Sequence, residues 1–330
     1  MPCSCSLRFS AVIAAAAISA PALGQTPEAK QAAAEAPVAT QPSPAAGGEG
    51  GAGAGNGEWK LSFSPRGEYA FSADLRSSGS RVSVGRAGLS LDASGPLGDR
   101  AKLLLNADVE ASFYRFKDVA APLPFTGSAP EPLRDAYTIR LRPGVSYRVD
   151  ETWSVLGGAI VEFAGEGGAD VGKSVTFGGY GGATYRASAD LSLTLGVIVK
   201  SRLEDDALIV PLLGVRWAID ERWTLATEGL GARLSAKMSE EVTVSVFGRY
   251  EIRDFRLDDD AALPKGIVQD TRLPTGVGIE WTPTPRLSVG VSGGVVVGQK
   301  YKFLNENGDE LAGDRTKVAP FVGIRGEWRF

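Results

Sequence analysis

Histidine is absent from all 330 residues of the chain. Without imidazole no Ser-His-Asp or Cys-His catalytic site can be built, and the commonest zinc ligand and neutral-pH proton shuttle is missing. Cysteine is almost as scarce. Cys3 and Cys5 both precede the first apolar stretch, so a chain cleaved beyond that stretch carries no thiol and no disulfide. Its stability has to come from a packed core or from a closed hydrogen-bonded sheet. No apolar run reaches the roughly 18 residues of a transmembrane helix, and the mean hydropathy is −0.03. These two facts exclude a polytopic helical transporter. A basic excess is missing too: 35 Lys plus Arg stand against 39 Asp plus Glu, which gives no support for a nucleic-acid partner.

What the chain does have begins with a targeting segment. Residues 1–24 combine a short polar start with one positive charge at Arg8, an apolar stretch from Ala11 to Ala20, and small residues Ala22 and Gly24 at signal-peptidase spacing. This predicts a cleaved secretory signal peptide and export. Residues 25–57 are rich in Ala, Pro and Gly, with Val38 as their only large aliphatic residue. They cannot bury enough apolar surface to offset ordering, so a disordered linker is expected there.

From Glu58 to Phe330 a period-2 pattern recurs over segments of ten or more residues, long enough to cross a bilayer as tilted strands. Between Val242 and Ile252 one face carries Val242, Val244, Val246, Tyr250 and Ile252, and the other Thr243, Ser245, Arg249 and Glu251. Tyr137 to Val149 splits likewise, with Arg140, Arg142 and Arg148 on the wet face. Short turns recur at Asp150 to Thr152, Ser188 to Asp190, Asp220 to Arg222, Ser239 to Glu241 and Thr282 to Pro285. Longer polar loops occupy Asp118 to Arg134, Gly165 to Ser174, Asp258 to Asp270 and Leu304 to Arg315. Short turns at one end and long loops at the other mark a transmembrane barrel with its turns toward the periplasm. Tyr147, Trp153, Tyr185, Trp217, Trp223, Trp281 and Trp328, all beside short turns, are expected to form an interfacial girdle.

The last strand sets Val318, Val322, Ile324, Trp328 and Phe330 against Arg325, Glu327 and Arg329, and it closes on an aromatic residue. Here the sequence resembles bacterial outer-membrane β-barrel proteins, in which such a final strand is the signal read by the barrel-assembly machinery. The resemblance implies that Trp328 and Phe330 carry that signal, that the domain meets outer-membrane lipid, and that the chain resides in the outer membrane. Gly248 to Leu257, Gly-Arg-Tyr-Glu-Ile-Arg-Asp-Phe-Arg-Leu, also looks like a stretch in uncharacterised barrels of planctomycete-type bacteria. The expected fold is all-β, an antiparallel up-and-down barrel of 14 strands if Trp223 to Thr227 and Leu230 to Lys237 are joined by a tight turn at Glu228 to Gly229. Twelve is the alternative. Around Gly85 and Arg86 the alternation slips phase, which predicts a β-bulge.

Gly167 to Ser174 reads Gly-Gly-Ala-Asp-Val-Gly-Lys-Ser and matches the phosphate-loop pattern, yet that loop needs a following helix and a strand is expected here. Asn305 to Glu310 has Phe303 where a calcium loop needs its first Asp, so a turn at Asn307-Gly308 is the better reading. The run Asp258, Asp259 and Asp260 reads as a solvated acidic loop or a cation contact. No metal or cofactor is expected, and no enzyme.

The wet faces gather Lys102, Arg140, Arg142, Arg148, Arg186, Lys200, Arg216, Arg233, Lys237, Arg249, Arg253, Arg272, Lys300, Lys302, Arg325 and Arg329 against fewer acids, Asp108, Glu110, Glu162, Glu228, Glu251, Glu280 and Glu327. A basic lumen attracts anions. The expected function is therefore a passive porin-like channel for small anionic solutes, with Arg140, Arg142, Arg249, Arg253 and Arg325 influencing selectivity. The alternative is a structural or surface-interaction barrel whose lumen is plugged, by paired side chains or an inturned loop, and whose outer loops carry the function.

Overall fold

A computed structural model describes residues 58–118, 131–227 and 229–330. The expected leader and linker, most of the Asp118 to Arg134 loop, and Glu228 lie outside the described residues. The elements are all strands: β1 Lys60–Asp74, β2 Arg81–Pro96, β3 Ala101–Lys117, β4 Asp135–Arg148, β5 Trp153–Glu166, β6 Val175–Arg186, β7 Leu191–Arg202, β8 Asp205–Ala218, β9 Trp223–Thr227, β10 Leu230–Lys237, β11 Val242–Arg256, β12 Ile267–Thr284, β13 Leu287–Leu304, β14 Glu310–Arg315 and β15 Ala319–Arg329. Two segments expected as loops are partly strand: Ile267 to Asp270 opens β12, and Glu310 to Arg315 is β14. The segment Val175 to Arg186 after the phosphate-loop pattern is a strand.

From β1 to β14 each strand pairs antiparallel with the next, β13 pairs with both β14 and β15, and β15 pairs with β1. Because β14 and β15 take up successive stretches of β13, they are two parts of one wall strand, and the ring closes with 14 strands. β9 and β10 are separate, joined at Gly229 with its φ of 61°. Closure follows from the solvent. In a hydrocarbon layer an unpaired backbone N–H or C=O costs several kcal/mol, and a closed ring has no edge.

The outer surface is apolar between two aromatic belts. Trp59, Trp153, Trp217, Trp223, Trp281 and Trp328 are all exposed on it at the short-turn end, with Tyr147 and Tyr185. Tyr69, Phe71, Phe113, Tyr137 and Phe177 are exposed at the other end. The short turns share one device. Asp150 Oδ1 accepts from the N–H of Thr152 and Trp153, both at 2.7 Å, and Asp220 Oδ1 does the same for Arg222 and Trp223 at 2.8 and 2.6 Å. Ser188 and Ser239 hydroxyls play that part in two more turns. These backbone donors hold the Asp150 carboxyl below its ordinary range.

The bulge near Gly85 and Arg86 lies on the partner strand: β1 shifts register between Ala70, opposite Val84, and Ala73, opposite Val82. Gly85 and Arg86 sit in an unbroken ladder, opposite Tyr69 and Glu68 on β1 and opposite Phe113 and Ser112 on β3. Another register shift occurs in β13, where Thr271 faces Lys300 but Leu273 faces Val297. The extra residue is accommodated at Gly298, with φ of 64°. It reverses the faces of the upper strand: Tyr301 and Phe303 become buried, and Lys300 and Lys302, expected in the lumen, turn outward.

One seam is not closed by a ladder. β8 meets β9 only from Arg216 to Ala218, and β10 reaches β11 only up to Tyr250. Above that level β11 pairs with β5 through Arg256 and Gly165. The β7–β8 tip covers the break with side chains: Arg202 Nε lies 3.4 Å from Asp254, Arg256 Nη2 lies 2.6 Å from Glu204, and Leu203 packs with Ile267 and Leu304.

Deleting Gly298 is expected to abolish folding, read as loss of heat-modifiable gel mobility, because it drives Lys300 and Lys302 inward. Gly298→Ala keeps the register and is expected to cost about 1 kcal/mol in urea unfolding, since it forces a Cβ into positive φ. A deletion variant that folds normally would contradict this placement of the bulge.

Candidate functional site: the barrel interior

The interior has three levels. At the long-loop end the inward side chains are apolar, against the alternation rule for a wet lumen. Val82, Val84, Tyr114, Phe116, Phe255, Val268, Tyr301 and Phe303 form one buried cluster, capped by Leu133, Leu257, Ala261 and Leu263 from the loops. Tyr301 meets Tyr114 and Phe116 edge-on at 6.2 and 5.6 Å between ring centres. This dome explains the false phase slip: Val82 and Val84 share the inward face of Arg86. Among the described residues, the loop that turns in is 257–266. Its acidic run stays at the rim, where Asp259 lies 3.8 Å from Lys265 Nζ.

Beneath the dome lies a lattice of buried ion pairs. Arg86 Nη2 lies 2.6 Å from Asp270, and the same carboxylate accepts from Tyr114 Oη at 2.7 Å and Gln299 Nε2 at 2.9 Å. Arg272 bridges Glu68 at 2.5 Å and Glu251 at 2.7 Å. Arg253 joins Glu110 at 2.7 Å to Glu251 at 2.6 Å, and Arg249 joins Glu68 at 2.9 Å to Glu251. Arg66 reaches Asp108 at 2.8 Å and Glu110 at 3.2 Å, while Glu162 takes Arg140 and, at 2.7 Å, Lys200. Pairs such as Arg253 with Glu110 tie β11 to β3 across the lumen. Arginine suits this part because its planar fork can serve two carboxylates at once.

Of the arginines expected to set selectivity, Arg140, Arg249 and Arg253 are brought together in this lattice. Arg142 lies one inward position beyond Arg140 on β4; its Nε donates to Asn106 Oδ1 at 2.9 Å and it makes no ion pair among the described residues. Arg325 stands apart toward the short-turn end, half exposed and 3.8 Å from Glu327. Four lattice members escaped the sequence reading: Arg66, Glu68, Arg86 and Asp270. The first two were legible, since Phe63, Pro65, Tyr69 and Phe71 alternate with Ser64, Arg66 and Glu68. Arg86 was hidden by the inward valines, and Asp270 by its assignment to a loop.

The third level, at the short-turn end, is sparse and basic. One cross-strand row runs Arg186, Ser192, Arg216, Ala226, Arg233, Phe247. Phe247 is buried, which fixes the row as inward. Arg233 donates to Ser245 Oγ at 2.8 Å and lies 4.9 Å from the Phe247 ring centre. The neighbouring inward positions are small: Gly182, Thr184, Thr194, Gly196 and Gly214. Arg186 and Arg216 make no ion pair among the described residues. At the last strand, Trp328 and Phe330 are exposed on the outer face with stacked rings 6.3 Å apart, and Phe330 N–H donates to Leu61 C=O at 2.9 Å.

A family model described as a domain of unknown function, DUF6268, matches residues 169–326, a span that includes Gly248 to Leu257. No curated protein matches the sequence. Similar solved structures include an outer membrane channel from Pseudomonas putida F1, 12% identical with a TM-score of 0.43, covering 82% of this chain and 95% of that one. The P. putida toluene transporter TodX is 8% identical with a TM-score of 0.44, covering 83% and 90%. The KdgM porin is 10% identical with a TM-score of 0.33, covering 82% and 99%.

Glu251 serves Arg249, Arg253 and Arg272 together, so Glu251→Gln is expected to destabilise the barrel by about 3–5 kcal/mol, because it strands buried cations. Arg325→Gln removes a half-exposed cation 3.8 Å from Glu327, which Arg329 also pairs, and should change stability by less than about 1 kcal/mol. Urea unfolding followed by tryptophan fluorescence compares them. Equal effects would contradict the lattice's structural role.

Proposed function

We propose that the chain is an outer-membrane channel for small solutes that prefers anions. The observation that carries this reading is the row of Arg186, Arg216 and Arg233 on alternate strands, all facing the lumen at one level among glycines and threonines. Guanidinium groups fixed in a low-dielectric wall raise the local concentration of anions and repel cations. Arg140, Arg249 and Arg253 share their charge with carboxylates, so in this proposal they shape the constriction and hold its charge pattern. Arg142 and Arg325 contribute field elsewhere in the lumen. The narrow, cross-linked lattice limits passage to small solutes.

The same proposal takes residues 1–24 as a cleaved export signal, residues 25–57 as a spacer, and the final strand ending at Trp328 and Phe330 as the segment read by the barrel-assembly machinery. It places the apolar belt in outer-membrane lipid and counts the chain among non-enzymes. Kinship of Gly248 to Leu257 with planctomycete-type barrels belongs to it as well. A second reading, a structural barrel with working outer loops, is favoured by one observation: the dome of Tyr114, Phe116, Phe255, Tyr301 and Phe303 fills the long-loop mouth.

Current through planar bilayers under a salt gradient separates the two. The refolded chain is expected to open in steps with an anion-selective reversal potential, and Arg186→Glu with Arg216→Glu should move that potential toward cations. A folded barrel that never conducts would overturn the channel reading in favour of the plugged one.

A further inference from the structure

Arg142 differs from every lattice arginine. The residue is only 7% exposed, yet it forms no ion pair among the described residues, the carboxylates of Asp108, Glu162 and Asp92 acting on it only from a distance, and its Nη1 is buried without a hydrogen-bond partner. Its Nε is held by Asn106 Oδ1 at 2.9 Å, and Asn106 is itself anchored by donating to Asp92 Oδ1 at 2.7 Å. The fork is thus oriented through one nitrogen while another is left unused. A buried cation without a direct partner is costly, and an anion that joins it lowers the cost.

A second donor lies beside it. Gly144 is the next inward position after Arg142 on β4, and Gly158 faces it on β5. The Tyr180 phenol lies across both glycines: a Cβ on Gly144 would run into its hydroxyl, and one on Gly158 would stand 2.6 Å from it. Any larger residue at these positions would push the phenol away. Tyr180 Oη makes no hydrogen bond among the described residues. Ile160, 3% exposed, lies inward between Arg142 and Gly178 in the wall and keeps the local dielectric low.

We infer that Arg142 and Tyr180 form a binding site for a small oxyanion, a carboxylate or phosphate group, in the lumen wall beside the ion lattice. The guanidinium supplies the charge and the phenol a directed donor, an arrangement in which charge-assisted hydrogen bonds fix the anion's orientation. The inference deepens the channel reading by naming the chemical group the lumen selects, and it rests on that reading for the ligand's route inward.

Titration calorimetry on the refolded full chain in detergent, with inorganic phosphate and separately with acetate as probes, tests the site without requiring conduction. One saturable site is expected. Arg142→Gln should abolish it, and Tyr180→Phe should weaken it about three- to tenfold, the worth of one hydrogen bond. Gly144→Ala, which displaces the phenol, should weaken it similarly, and this variant and Tyr180→Phe keep the test open if Arg142→Gln fails to fold. Arg81→Gln, at an exposed rim pair with Asp118, serves as a control of unchanged affinity. A folded wild-type barrel without saturable binding, or unchanged affinity in Tyr180→Phe and Gly144→Ala, overturns the site. Binding without bilayer current would leave the site standing and remove the channel reading; anion-selective current without binding would do the reverse.

Discussion

Everything in this protein depends on the rule that backbone hydrogen bonds must be satisfied within the wall. In hydrocarbon the chain cannot hand an N–H or C=O to water, so the sheet has to close. Closure fixes side-chain parity: every second residue faces lipid and every other one faces inward. The inward half has to solve its own packing and charge problems in a space narrow enough for strands on opposite sides to touch. Arg253 on β11 reaching Glu110 on β3 is that consequence in one contact.

The interior answers in layers. Where loops are long enough to cap the mouth, inward aromatics pack as a small core, and Asp270 receives its donors from Arg86, Tyr114 and Gln299 at the core's lower edge. Farther in, guanidinium groups and carboxylates alternate across strands so that most charges have more than one partner. Toward the short turns the partners run out, leaving Arg186 and Arg216 among glycines and threonines. A chain with more acids than bases overall therefore presents a basic inner surface at one end. The β8–β11 seam departs from the rule, and there the side-chain contacts of Arg202, Leu203 and Arg256 stand in for a ladder.

Much of this was legible in the sequence. Period-2 alternation, the short turns with their Asp or Ser, and the neighbouring tryptophans specify the barrel, and a turn at Gly229 settles 14 strands over 12. What could not be read followed from features that alternation does not encode. A one-residue bulge at Gly298 inverts Lys300 and Lys302, because a period-2 pattern holds no memory of register past an insertion. Inward apolar residues such as Val82, Val84, Phe247 and Phe321 mimic a phase slip or a lipid face, since burial against other strands asks for the same side chains as burial in lipid. Most of the basic side chains were identified, Arg66 and Arg86 apart, but which of them meet a carboxylate depends on contacts between distant strands.

The central claim is that a narrow ion-pair lattice, too tight for bulky reagents, and a basic vestibule divide the lumen. Thiol accessibility tests it most directly, in a chain lacking Cys3 and Cys5. Ser235→Cys and Thr184→Cys place thiols in the vestibule, whereas Ser112→Cys and Thr138→Cys place them in the buried region beside Glu110 and Arg140. The first pair should react readily, and faster with an anionic than with a cationic reagent. The second pair should stay protected until the barrel is unfolded. Equal modification of all four, with no preference for reagent charge, would contradict the account.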